Sequence, residues 1–178
     1  MDKSALEKVF HNHGFDKFKW IDSTDIVVSQ WVRFKCMFGC PSYGKKGSCP
    51  PNVPSIAECR EFFSEYSNVI VFHIEGQLDN PEDRSKWSRE INARLLEVER
   101  EVFLSGYQKA FLLFMDECRI CSTCTGSRRE CNNLKNSRPG PESLGMDVFS
   151  TVKKCGFPIQ VLKDFSEKMN RFAFLLVD

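Results

Sequence analysis

An α/β fold is the expectation for this chain: a central mixed sheet of about four to five strands, flanking helices, and two cysteine-rich loops at one sheet edge. Three observations predict it. Compact apolar runs of strand length stand at 69–74, 111–115 and 171–177. Stretches with helical apolar spacing, long enough for crossovers, lie between them, and each of two cysteine groups follows a segment that reads as a strand. With 178 residues, 42% of them hydrophobic, the chain can bury one ordinary core, so a single domain over 1–178 is expected.

Residues 1–15 read as a short helix with Leu6, Val9 and Phe10 inward and Gly14 as its stop. Residues 25–34 hold Ile26, Val27, Val28, Trp31 and Val32, types that favour strands, and read as the first strand. Pro50, Pro51 and Pro54 then bar helix and sheet, because proline lacks an amide donor and restrains its predecessor. From Ser55, with Ser55 or Asn52 as cap, Ile56, Cys59, Phe63 and Tyr66 recur at helical spacing. A strand over 68–75, a polar turn over 76–83 and a long helix over 84–105 follow. That helix carries Trp87, Ile91, Leu95, Val98 and Val102 on one face, and Gly106 ends it. Residues 109–116 read as a second buried strand running straight into Cys118. A helix over 141–155 and two strands, 158–162 and 171–177, placed to form a hairpin, complete the order.

Seven of the nine cysteines fall into two groups: Cys36, Cys40 and Cys49, then Cys118, Cys121, Cys124 and Cys131. The second group, C-x2-C-x2-C-x6-C, crowds three thiols on one loop, as in the opening of the bacterial ferredoxin run but with a longer gap to the last cysteine. Zinc sites more often pair two C-x2-C knuckles across a longer insert, so iron–sulfur stands ahead of zinc, which stays open. Cys59 and Cys155 share helical spacing with apolar neighbours and read as core thiols, with Cys59 the alternative fourth ligand for the first group. Cys49-Pro50 is compatible with cross-ligation between the groups. No segment has signal or membrane-span character, so a cytoplasmic setting is expected; there, clustered thiols call for a metal or redox role more than for disulfides.

The whole chain is only +1, yet Arg33, Lys35, Lys45 and Lys46 surround the first group, and Arg119, Arg128, Arg129, Lys135 and Arg138 the second. Cations there suit an anionic cluster, with Lys45, Arg119 and Arg128 as candidate cofactor-binding residues. A nucleic-acid patch is the rival reading; it lacks aromatic residues interleaved with the second basic stretch. Gly39, Gly44, Gly47 and Gly126 allow sharp turns whose amides can donate to sulfur.

Cys36-x3-Cys40 with Tyr43-Gly44-Lys45, Cys49-Pro50-Pro51, the Cys118 to Cys131 run, and Ser143, Gly145 and Asp147 together resemble a bacterial and archaeal family of domains of unknown function described as predicted metal-binding proteins. The likeness covers about 30–155. It implies metal held by the seven cysteines, as iron–sulfur clusters, in an anaerobe's cytoplasm. One departure is that Asn132-Asn133 follow Cys131 where the family pattern has Arg.

Seven thiols serve one or two 4Fe–4S clusters unequally, one of them with three cysteines. If Cys59, Asp147 or water closes that cluster, single-electron relay to a redox partner protein is expected; if its iron stays open to a small-molecule substrate, non-redox lyase or desulfidase chemistry follows. A structural-zinc module is the third reading. His11 and His13 read as a solvated face, His73 as a satisfied sheet histidine, Trp20, Trp31 and Trp87 as core or interface, and Glu75, Asp79 and Asp83 as turn and cap residues. No P-loop, dinucleotide fingerprint or nucleophile elbow is present.

Overall fold

The structure is a computed structural model describing residues 1–78, 80–164 and 166–178. Asp79, expected in a turn, lies outside the described residues. Helix α1 (Lys3–Asn12) is capped by the Asp2 carboxylate, which accepts from the Ala5 amide, and buries Leu6 and Phe10. Gly14, at φ 73°, turns the chain into strand β1 (Phe18–Asp22).

Strand β2 (Asn68–Gly76) pairs antiparallel with β1, Phe18 facing Phe72 and Asp22 facing Asn68. Its other edge takes strand β4 (Met169–Val177), which pairs in turn with strand β3 (Phe111–Leu113), so the order is β1-β2-β4-β3. Every adjacent pair is antiparallel, where a mixed sheet was expected. The crossover is nonetheless present: helix α4 (Asp83–Leu104) joins β2 to β3, which run parallel but leave one place between them, and the last strand fills it. This central place explains why 172–177 have no polar face, since both sides of β4 are covered.

One face of the sheet packs on α1 and α4 through Phe10, Phe72, Leu95, Val98, Leu112 and Leu175. Helix α3 (Ile56–Ser64), closed by a Ser55–Glu58 capping box, and helix α5 (Val148–Lys154) cover the other face through Phe63, Val69, Leu113, Val152 and Phe174. Cys59 belongs to that second core, 1% exposed, and donates its thiol to the Pro54 carbonyl at 3.7 Å. Cys155, expected in the core, is only half-buried at the C-cap of α5.

Three segments depart from the sequence expectations. Residues 25–34 are not a strand: after an isolated bridge between Val28 and Met146 the chain becomes helix α2 (Gln30–Gly39). The β-branched run ends at Val28, and from Trp31 the apolar spacing 31, 34, 38 is helical, so strand propensity reached only as far as its residues did. The first strand is instead β1, signalled by Phe18 and Trp20 alternating with Lys19. The helix expected over 141–155 is split: a 3-10 turn (Pro141–Leu144) ends at Gly145, at φ 78°, and Asp147 caps α5 through the Ser150 amide. Residues 158–162 stay outside the sheet, with Val161 exposed beyond Pro158.

A buried carboxylate ties α4 to the approach to the second cysteine group. Glu99 accepts from the Leu112 amide of β3 at 2.9 Å and from both Nε and Nη2 of Arg138 at 2.9 Å. Arg138 precedes Pro139, whose carbonyl accepts from the Phe114 amide at 2.9 Å, so the entry and exit of the 118–131 loop are clamped together. Removing Glu99 leaves a guanidinium and an amide unpaired; Glu99→Ala should lower unfolding free energy by roughly 3 kcal/mol, measured by urea denaturation. A change within error would mean that Arg138 is solvated without it.

Candidate metal centre

The first cysteine group follows a helix, not a strand, and the helix sets its geometry. Cys36 lies in the last turn of α2 and Cys40 is its C-cap. The chain then doubles back through tight turns, the Gly44 amide donating to the Pro50 carbonyl at 2.9 Å, and brings Cys49 inward to 6% exposure. The 141–144 turn closes over this group. Its Ser143 hydroxyl donates to Cys49 Sγ at 3.7 Å, and the Cys36 thiol lies 3.9 Å from the Glu142 carbonyl oxygen. Arg33 holds the arrangement by donating to the Pro54 carbonyl at 3.0 Å and the Ser143 carbonyl at 2.9 Å.

The electrostatics record the same convergence. Burial pushes the Cys49 thiol up to about 11 against the Ser143 hydrogen bond, with Glu117, Cys40 and Cys36 adding repulsion. Burial also raises Cys36, followed by Cys40 and Glu142, while Arg33 opposes them. Two thiols raised by burial and by the charge of neighbouring cysteines are groups that a cation can stabilise. Beside them runs a recess of about 580 Å³ lined by Cys36, Cys40, Trp31, Lys35, Glu142 and Asp147, among others. Glu142 is open to solvent along this recess, yet the protein packed round it, with Asp116 and Glu117 adding charge, pushes its carboxyl up to about 7.

The second group sits on the loop after β3. Cys118 and Ile120 pack on the core against α4, and Arg119 is engaged structurally, pairing with Glu117 at 2.6 Å and donating to Ser85 Oγ. Cys121 Sγ accepts from Asn133 Nδ2 at 3.0 Å. Cys124 Sγ accepts from the Gly47 amide at 3.4 Å. Burial opposes ionisation of Cys124, but the Gly126 and Gly47 amides, helped by Lys46, outweigh it and hold this thiol below its ordinary value.

The two cysteine loops are therefore neighbours, in direct backbone contact. A Cβ on Gly47 would stand 2.7 Å from the Ser127 carbonyl oxygen, so only glycine permits the approach. Asn52 bridges the loops, its amide nitrogen donating to the Lys46 carbonyl at 3.2 Å and the Gly126 carbonyl at 2.9 Å. From sequence Asn52 reads only as a possible helix cap and Asn133 only as a departure from a pattern; no local signal marks either as a site residue. Lys45 is exposed, and Arg128 is exposed at the rim of a cavity of about 500 Å³, donating to the Leu134 carbonyl at 3.4 Å. Lys46, not Lys45, is the lysine felt by Cys124.

Other candidates resolve as partners of ordinary kind. His11 pairs with Asp16 at 2.7 Å and His13 with Glu101 at 2.9 Å, so the two rings serve different carboxylates. His73 bonds Asn170 at 2.7 Å and stacks on Phe172. Glu75 is paired with Lys17 and Lys168. Asp147 spends its carboxylate on Ser150, 3.0 Å from the amide and 2.6 Å from the hydroxyl. Among the described residues no three His, Cys, Asp or Glu side chains converge as they would on a single ion, and no helix is long and apolar enough to cross a membrane.

The model of a family described as predicted metal-binding protein, a domain of unknown function (DUF2284), matches residues 19–177. No curated protein and no solved structure matches the chain.

Two outcomes test the geometry. Gly47→Ala should force the loops apart and reduce metal content of the purified protein severalfold while the far-ultraviolet circular dichroism is retained; full metal content would show that the contact is dispensable. In metal-free protein, a lowered pKa gives Cys124 more thiolate at neutral pH, so alkylation mapped by mass spectrometry should reach it well before buried Cys49. Equal rates for the two would contradict the assigned environments.

Proposed function

The chain belongs to this family of predicted metal-binding proteins, and we propose that the metal is iron, carried as one or two 4Fe–4S clusters on the two cysteine sets and used for single-electron transfer. The observation that carries the proposal is the locking of two cysteine loops by backbone, with Gly47 N–H aimed at a sulfur of the other loop. Amide and hydroxyl donors to cysteine sulfur are the surroundings that stabilise a thiolate-held anionic cluster and tune its potential. Gly47, Gly126, Asn133 and Ser143 supply them here. The donor set suits a cluster by its chemistry, because a cubane takes each thiolate on a different iron and the sulfurs here already receive amide and hydroxyl donors.

Cys36, Cys40 and Cys49 would hold one cluster, and Cys118, Cys121, Cys124 and Cys131 the other. Lys45, Arg119 and Arg128 belong to the same proposal as the cationic surroundings. Bound there, a cluster supplies a one-electron couple. The chain contributes low-dielectric burial around Cys49 and an apolar surface beside Cys36 and Cys40. On α2, Trp31, Phe34, Met37 and Phe38 are all more than half exposed, Phe38 at 76%, which supports docking of a redox partner protein close to the first cluster. A cytoplasmic, oxygen-poor setting is part of the proposal. The three-cysteine first set favours a second reading, in which one iron binds a small-molecule substrate and the chain is an enzyme.

Purified without oxygen, the protein should be brown, with equal iron and acid-labile sulfide. Cys121→Ser should lower iron and melting temperature together, since metal binding and loop folding are coupled, whereas Cys155→Ser should keep its iron. A colourless protein containing zinc would overturn the cluster proposal. An electron paramagnetic resonance signal that shifts with added small ligands would favour the enzyme reading over electron relay.

A further inference from the structure

A cubane has four irons, and the first cysteine set brings three thiols to it. Two residues that the sequence offers as a fourth ligand are committed elsewhere. Cys59 is packed in the core with its thiol on the Pro54 carbonyl, and Asp147 is the cap of α5. Of the other carboxylates around the set, Glu117 pairs with Arg119 at 2.6 Å, and Asp116 is held by Arg84 through Oδ1 at 2.7 Å, with Oδ2 buried and unpartnered. Glu142 differs. Among the described residues its carboxylate pairs with no other residue and is met only by its own backbone amide, and it lines the same recess as Cys36 and Cys40.

Its backbone is fixed at that place. The Gly145 amide donates to the Glu142 carbonyl at 3.0 Å, the Ser143 amide to Gly140 at 3.0 Å, and the Met146 amide to Pro141 at 3.1 Å. Arg33, on the helix that carries Cys36, grips the next carbonyl, that of Ser143, at 2.9 Å. The Cys36 thiol lies 3.9 Å from the Glu142 carbonyl oxygen, so ligand-bearing helix and glutamate-bearing turn approach as one unit. A Cβ on Gly145 would strike Ile56 Cδ1 at 2.2 Å, which keeps the turn seated against α3.

Resting on the cluster proposal above, we propose that the Glu142 carboxylate is the fourth protein ligand of the cluster held by Cys36, Cys40 and Cys49. A hard oxygen ligand on one iron and soft thiolates on the other three make that iron the exchangeable one. The set would then close in the resting protein and open at a single corner when the carboxylate is displaced. The rival role for Glu142 is neutralising Arg171, whose guanidinium feels its charge and has an unpartnered Nε.

The test uses the full chain purified without oxygen, with iron and sulfide counted before anything else. Ferricyanide is then added: a dicationic cubane core that releases one ferrous ion passes one electron to ferricyanide and leaves a monocationic three-iron core, read by its own paramagnetic signal. Glu142→Gln should form the three-iron signal at least about tenfold faster than the parent chain. Glu142→Cys, which supplies a fourth thiolate, should suppress it. Cluster-loaded variants that both convert at the parent rate overturn the assignment, and so does a Glu142→Gln variant whose melting temperature falls with its iron release unchanged, the outcome expected of a partner for Arg171. A parent chain that binds no iron and sulfide at all overturns the cluster proposal itself, and this inference falls with it.

Discussion

The close approach of the 47 position to the 127 carbonyl is the contact on which the site depends. Two loops separated by some seventy residues of sheet and helix meet backbone to backbone, and the Asn52 amide spans what the contact leaves. Backbone groups at that depth have to be paired inside the protein, and here the Gly47 amide is paired with Cys124 sulfur and the Lys46 and Gly126 carbonyls with the Asn52 side chain. The consequence is a cysteine environment built from fixed dipoles, whose orientation does not depend on long flexible side chains.

The sheet makes this meeting possible. Because β4 fills the place between β2 and β3, the long α4 crossover has to deliver β3 at the far edge, and the loop after β3 emerges beside the chain that follows α2. Glu99 and Arg138 then clamp the two ends of the second cysteine loop to α4 and β3. The 141–144 turn, leaving that clamp, folds over the first group and is held to α2 by Arg33. Core packing, clamp and turn thus act in series: α2 carries Cys36 and Cys40 directly, and the clamp and the turn fix the loops that hold the other thiols.

Charge is distributed to match. Thiols brought together and buried resist ionisation, as the raised values of Cys36 and Cys49 record, and a bound cation is what reverses that balance. Cys124, at the seam between the loops, is instead drawn down by two backbone amides and Lys46. One group therefore holds two thiols, Cys36 and Cys49, raised above their ordinary value, and the other holds Cys124 drawn below it.

Much of this was legible in the residues. The cysteine grouping, the long α4 face, the cap at Ser55 and the apolar character of β4 are local patterns set by spacing of one or two residue types, and the fold class follows from their order. The 25–34 strand failed because β-branched residues favour whatever extended environment they meet, and beyond Val28 no strand edge was offered to them. Asn52, Asn133 and Glu142 were not legible as site residues, since polar side chains in loops have no period and declare a role only when a partner arrives from elsewhere. By itself, then, the sequence marked the grouped thiols as candidate metal ligands and most of the segments that form the scaffold. Only the tertiary structure decided that the two cysteine loops touch, that Cys59 and Asp147 are spent on packing and capping, and that a glutamate faces the recess. Those facts depend on strand order and loop approach over long separations, and no local preference encodes them.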